Sequence, residues 1–107
     1  MRLRLLAPLL VLGITPLAHA QEATLARNLA GACFSCHGTN GNALPGMAPL
    51  AGRPKDEIIR IMGEFRSGAR TGERGTLMPQ IVKGYTDAQV ALIADYFSKQ
   101  KPEKGAQ

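Results

Sequence analysis

A chain of 107 residues with two cysteines, no tryptophan and a formal charge of +5 has room for one small domain and no second independent core. Its basic residues are scattered singly, with no aromatic platform beside them, which argues against nucleic acid as a partner. Three Phe and two Tyr are little large apolar material, and a domain this small leans on a staple, a metal or a cofactor to fill its centre.

The N-terminus reads as an export signal. Met1-Arg2-Leu3-Arg4 is a short basic start, Leu5 to Ala18 is apolar, and Ala18-His19-Ala20 is the small-x-small pattern of a cleavage site. The apolar run is interrupted by Pro8 and Pro16 and falls short of the ~20 residues that span a bilayer. The expectation is therefore that residues 1–20 are removed, leaving residues 21–107 as one periplasmic domain without a membrane span. That piece carries 11 Lys+Arg against 8 Asp+Glu, a mild positive charge. An oxidising compartment also favours cysteines that are bonded or hold a cofactor over free thiols.

Three helices are expected, in an all-α fold. The first runs from about Glu22 to Phe34, with Leu25, Ala26, Leu29, Ala30 and Cys33 on one face. The second starts near Pro54, a favoured first-turn residue, with Asp56 and Glu57 behind it. It carries the stripe Ile58, Ile61, Met62 and Phe65 before Gly68. The third begins at Thr86, where Thr86-x-x-Gln89 makes a capping box, and buries Val90, Ile93, Ala94 and Phe97. No segment alternates with period two. Two long Gly- and Pro-bearing loops, residues 38–53 and 67–85, separate the helices, and loops of that length in a small domain are wrapped around something. Residues 99–107 are polar and read as a mobile tail.

Cys33-Phe34-Ser35-Cys36-His37 carries the chemistry. Two thiols at this spacing can add to the two vinyl groups of haem, which places the following histidine beneath the iron. These are the only cysteines, and His37 is the only histidine beyond residue 20. A thioredoxin-like dithiol requires a strand before the motif, and a zinc site requires four ligands where only three Cys and His exist beyond residue 20. A plain disulfide leaves the long loops and thin core unexplained. The second axial ligand has three candidates. Met62 lies on an apolar helical stripe and reads as core, Met47 follows His37 too closely for an easy return, and Met78 sits in the second loop with Pro79 stiffening the backbone. Spacing favours Met78.

The segments Cys33-Phe34-Ser35-Cys36-His37-Gly38, Leu50-Ala51-Gly52, Met78-Pro79 and Thr86 to Phe97 resemble a class I bacterial cytochrome c over essentially all of residues 21–107. More narrowly, Glu64-Phe65-Arg66-Ser67-Gly68, Lys83-Gly84-Tyr85-Thr86 and Ala94-Asp95-Tyr96-Phe97 resemble the haem subunit of flavocytochrome c sulfide dehydrogenase. The resemblance implies one covalent haem c on Cys33 and Cys36, with His37 and Met78 as its axial ligands. It also implies a backbone carbonyl that orients His37, contributed by Pro45, Ala48 or Pro49, since the family's proline is replaced by Ala48 here. Leu25, Ala26 and Leu29 stand where many members cross their first and last helices on a glycine.

Arg53, Arg66, Arg70, Arg74 and Lys83 lie in or beside the two loops. Each reads foremost as solvated charge, and otherwise as a propionate contact or part of a docking ring. Arg53, just past the Leu-Ala-Gly turn, and Tyr85 are the preferred propionate contacts, with Tyr96 a further one. Two filled axial positions imply one-electron transfer rather than bond-making. The expected role is the cytochrome subunit taking electrons from a FAD-containing sulfide dehydrogenase and passing them to a soluble cytochrome. The alternatives are a free-standing carrier of the c4/c5-like type, and a haem enzyme or gas sensor with an open iron position.

Overall fold

The computed structural model describes residues 15–71 and 77–105, and among them there is helix, turn and loop but no strand. In chain order these are α1 (Thr15–Gly31), α2 (Phe34–His37), a 3₁₀ turn (Thr39–Gly41), α3 (Lys55–Ser67), α4 (Met78–Val82) and α5 (Asp87–Ser98). No helix among the described residues is long and apolar enough to cross a membrane.

Helix limits follow local chemistry. Pro54 caps α3, with Asp56 and Glu57 in the first turn, where carboxylates face the positive helix end; left-handed Gly68 stops it. At α5 both halves of the capping box form, Gln89 N–H donating to Thr86 Oγ1 at 3.2 Å and Thr86 N–H to Gln89 Oε1 at 2.9 Å. The first expected helix is broken in two. α1 ends at Gly31, Cys33 N–H closes a turn on the Ala30 carbonyl at 2.9 Å, and α2 restarts one residue later. Cys33 therefore lies in the break rather than on a last helical turn.

The second expected loop also contains structure. Met78–Val82 forms α4, whose Pro79 sits where a helix needs no amide donor, and Val82 is fully buried. Five residues are too few to show a helical period in sequence.

The core gathers Ala30 from α1, Ile58 and Met62 from α3, Val82 from α4, and Val90, Ile93, Ala94 and Phe97 from α5. Met62 is thus core, as its stripe implies. α1 packs on α5. Ala26 and Ala30, one turn apart on α1, are buried, and Ala30 shares the core cluster with the fully buried Ala94 of α5. Leu29 is half-buried and Leu25 is exposed, because it lies off that line. Phe34, Tyr96 and Phe97 form an aromatic cluster with ring centroids 5.5–6.2 Å apart.

The C-terminal residues are hydrogen-bonded to the loop after His37 as far as Glu103. The Asn42 side-chain amide donates to the Lys101 carbonyl at 3.3 Å, and its oxygen accepts from Glu103 N–H at 2.8 Å. Gly52 N–H donates to the Phe97 carbonyl at 2.9 Å. These bonds tie the loop after His37 to the end of the chain. Residues 1–14, most of the expected export signal, lie outside the described residues, as do 72–76 and 106–107.

Candidate haem-binding site

The attachment motif spans the break between α1 and α2. Cys33 is half-buried against the core and Cys36 is exposed, and both thiols are free. Burial pushes the Cys33 thiol above the ordinary thiol range, and the neighbouring Cys36 adds to the rise. α2 closes its single turn with His37 N–H on the Cys33 carbonyl and Gly38 N–H on the Phe34 carbonyl, both at 2.9 Å. This short helix sets the spacing of both sulfurs and the imidazole.

The His37 ring is oriented from across the loop. Its Nδ1 lies 2.7 Å from the Ala48 carbonyl oxygen. A carbonyl only accepts, so Nδ1 carries the proton and donates, which leaves Nε2 with a free lone pair for a metal. Of the three carbonyls expected as candidates, Ala48 supplies the contact. The loop that presents it is pinned at both ends. Leu50 N–H and Ala51 N–H donate to the Gly41 carbonyl at 2.9 and 3.2 Å, and Arg53 Nε donates to the Pro49 carbonyl at 2.7 Å.

The basic residues expected near the haem edge are distributed unevenly. Arg53 is committed to Pro49 and, at 3.1 Å, to the Glu57 carboxylate. Arg66 turns into the fold, donating to the Tyr85 carbonyl at 2.8 Å and pairing with Asp87. Arg70 bonds Glu64 at 2.9 Å and lies 5.8 Å from the centre of the Phe65 ring. Lys83 is exposed, and Arg74 lies outside the described residues. Tyr85 is half-buried against the core, whereas the Tyr96 hydroxyl donates to the side-chain oxygen of Asn40. Asn40 holds a left-handed backbone (φ 56°), which asparagine tolerates. The Tyr96 and Asn42 contacts join residues 56 to 61 positions apart, beyond any spacing rule.

The residues present suit a haem. The donor set is two unbridged thiols and an imidazole with its outer nitrogen available. Leu44 and Met47 on one loop, and Leu77 and Ile81 flanking Met78 on the other, are large apolar side chains left exposed. Such surface is what an apolar macrocycle covers. Met78 is half-buried against the core. Among the described residues no three His, Cys, Asp or Glu converge to hold a bare metal ion.

Comparison with known proteins agrees. The family model described as Cytochrome c matches residues 23–101, and the chain belongs to the cytochrome c family. Cytochrome c4 of Azotobacter vinelandii is 35% identical over 106 residues, which cover 92% of this chain and 50% of that protein. Cytochrome c-554(548) of Halomonas halodenitrificans is 32% identical over 83 residues, 77% of this chain and 100% of that protein. The cytochrome subunit of sulfide dehydrogenase of Chlorobaculum tepidum is 37% identical over 65 residues, 61% of this chain and 56% of that protein. The chain thus spans about half the length of several relatives it matches. Membership brings a covalently bound haem c, and Cys33-x-x-Cys36-His37 is its attachment signature.

Proposed function

We propose that the chain is an exported one-electron carrier, with haem c bonded to Cys33 and Cys36 and ligated by His37 and Met78. The observation that carries this reading is the 2.7 Å contact from His37 Nδ1 to the Ala48 carbonyl, which leaves Nε2 as the coordinating nitrogen. Bound haem c supplies a one-electron Fe(III)/Fe(II) couple. The chain's own work is to hold it. The Ala48 carbonyl draws on the Nδ1 proton and raises imidazole basicity, and the Met78 thioether would hold a second iron position and so keep dioxygen and peroxide from it. One electron enters and one leaves, with no atom transferred and no substrate pocket needed. Tyr85 serves as a propionate contact, and Arg53 as a brace for the histidine loop that reaches a propionate only by leaving Pro49.

Periplasmic location fits the N-terminal signal. In α1 every residue from Pro16 to Leu25 is exposed and the first buried one is Ala26, so loss of Pro16 to Ala20 removes no buried side chain. Mass spectrometry of the exported protein tests both points. A mass equal to residues 21–107 plus one haem supports them, and a haem-free polypeptide refutes the reading. The visible and near-infrared spectra of Met78→Ala then test the ligand, since loss of the methionine-to-ferric-iron band is required.

Two partner readings remain, each with its own support. Similarity over 92% of the chain to a cytochrome c4, and over the whole of cytochrome c-554(548), supports a free-standing carrier. The 37% identity to a sulfide dehydrogenase cytochrome subunit supports docking to a FAD-bearing protein that takes two electrons from sulfide and releases them singly, with a soluble cytochrome as acceptor. Co-purification with a flavoprotein at fixed stoichiometry selects the second, and elution alone as a monomer selects the first.

A further inference from the structure

Arg66 belongs by sequence to the basic residues around the haem edge, yet its guanidinium points into the fold. One terminal nitrogen donates to the Tyr85 carbonyl at 2.8 Å and to the Val82 carbonyl at 3.4 Å, and the other pairs with Asp87. A single side chain from α3 thereby grips the exit of α4 and the start of α5.

What it grips is otherwise weakly held. α4 has five residues, and its N-cap, Leu77, provides no side-chain hydrogen bond. A helix this short does not persist on its own. Its tertiary anchors are the buried Val82 side chain and the half-buried Met78. At its C-terminal end the Val82 carbonyl accepts from Tyr85 N–H at 3.2 Å, and Arg66 adds a cationic donor to that carbonyl and to the Tyr85 carbonyl beyond it. The ion pair is a lesser matter. The Asp87 side chain is 93% exposed, and pairs so open to water contribute little.

We infer that Arg66 is the positioning residue that keeps α4, and with it the Met78 thioether, in place as an iron ligand. It does so through the Val82 and Tyr85 carbonyls rather than through its pairing with Asp87. This rests on the assignment of Met78 as ligand. Without the guanidinium both carbonyls lose a charged donor, and α4 swings away from the core more often. An external ligand competing with the thioether binds only the open form, so its apparent affinity rises in proportion to the open population.

The test is imidazole titration of the ferric, haem-loaded protein, followed at the methionine-to-ferric-iron band, in wild type, Arg66→Ala, Arg66→Lys, Asp87→Asn and Met78→Ala. Arg66→Ala is expected to bind imidazole at least about tenfold more tightly, as loss of a charged hydrogen bond predicts. Asp87→Asn is expected to stay within about twofold of wild type. Arg66→Lys follows the alanine variant, because a point-charge ammonium cannot reproduce the planar fork, and it decides the matter should Arg66→Ala fail to hold haem. The inference is overturned if both Arg66 variants bind imidazole as wild type does, or if Asp87→Asn shifts affinity as much as they do. Retention of the band in Met78→Ala instead refutes the ligand assignment, whatever Arg66 does.

Discussion

Gly41 offers a quantitative check on how tightly the histidine loop is packed. Its φ is +79°, and a β-carbon there would stand 2.8 Å from Ala51 N, 2.8 Å from Phe97 Cδ1 and 2.9 Å from Leu50 Cβ. Gly68 shares the left-handed backbone (φ +82°) but has nothing within 4 Å, so it reports the conformational cost alone. That cost is about 1–2 kcal/mol for an L-residue, and it is the expected loss in Gly68→Ala. Gly41→Ala adds a clash with a peptide nitrogen and a fully buried ring, and overpacking of that kind costs about 1–3 kcal/mol more. The sum is roughly 2–5 kcal/mol. Gly31→Ala, where no atom lies within 4 Å and φ is ordinary, is the control and should gain up to about 1 kcal/mol. Urea unfolding of the haem-loaded protein, read by far-ultraviolet circular dichroism, measures all three. With a slope of about 1–3 kcal/mol per molar urea, Gly41→Ala should lower the midpoint by roughly 0.7–5 M. Equal losses in Gly41→Ala and Gly68→Ala would show that the loop yields at Gly41 and would refute the tight packing around it.

Met62→Ala should cost about 2–5 kcal/mol by emptying a buried site while leaving the methionine-to-iron band intact, the reverse of Met78→Ala; a spectrum of each variant separates core from ligand. Thr86→Ala removes half of a capping box and should cost about 1 kcal/mol, read as a lower thermal midpoint. Asn42→Ala frees the segment after Gln100, so limited trypsin digestion should cut after Lys104 faster than in wild type, while the Lys101–Pro102 bond resists trypsin in both; unchanged cleavage at Lys104 would refute the tie. The Glu64 carboxyl is held below its ordinary range by hydrogen bonds from Arg70 and Arg60, and that of Asp95 by Lys99 and then Lys55. A depressed folded pKa gives stabilisation present above the unfolded value, about 4, and lost as pH falls through the folded one. Urea midpoints should therefore drop as pH falls from about 5 to about 3, and a Glu64→Gln, Asp95→Asn double variant should flatten the decline.

Sequence and structure agree where one local rule decides the outcome. α3 and α5 are legible because a cap, an acidic first turn and a stripe at helical spacing coincide in each. The attachment motif is legible because its spacing is itself the chemistry. α4 is not, since five residues carry no period, and the break at Gly31 is hidden because the apolar spacing continues through it to Cys33. For the carbonyl that orients His37, the residues alone reach three candidates and stop, because backbone direction in a loop is set by the Gly41 and Arg53 bonds that pin it. Arg66 shows the same limit from the other side: its charge suggests solvent or a docking partner, and only the carbonyls of Val82 and Tyr85 reveal that it faces inward.

The clasp at Asn42 has a consequence for the order of events during biosynthesis. Its two bonds join positions 59 and 61 apart, so they form only once the chain is nearly complete. The backbone bonds of the turn bearing Cys33, Cys36 and His37, by contrast, each join residues only four positions apart. A maturation enzyme can thus reach the two sulfurs before the clasp at Asn42 closes, and the four-residue turn between them takes its final shape as the rest of the fold packs around it.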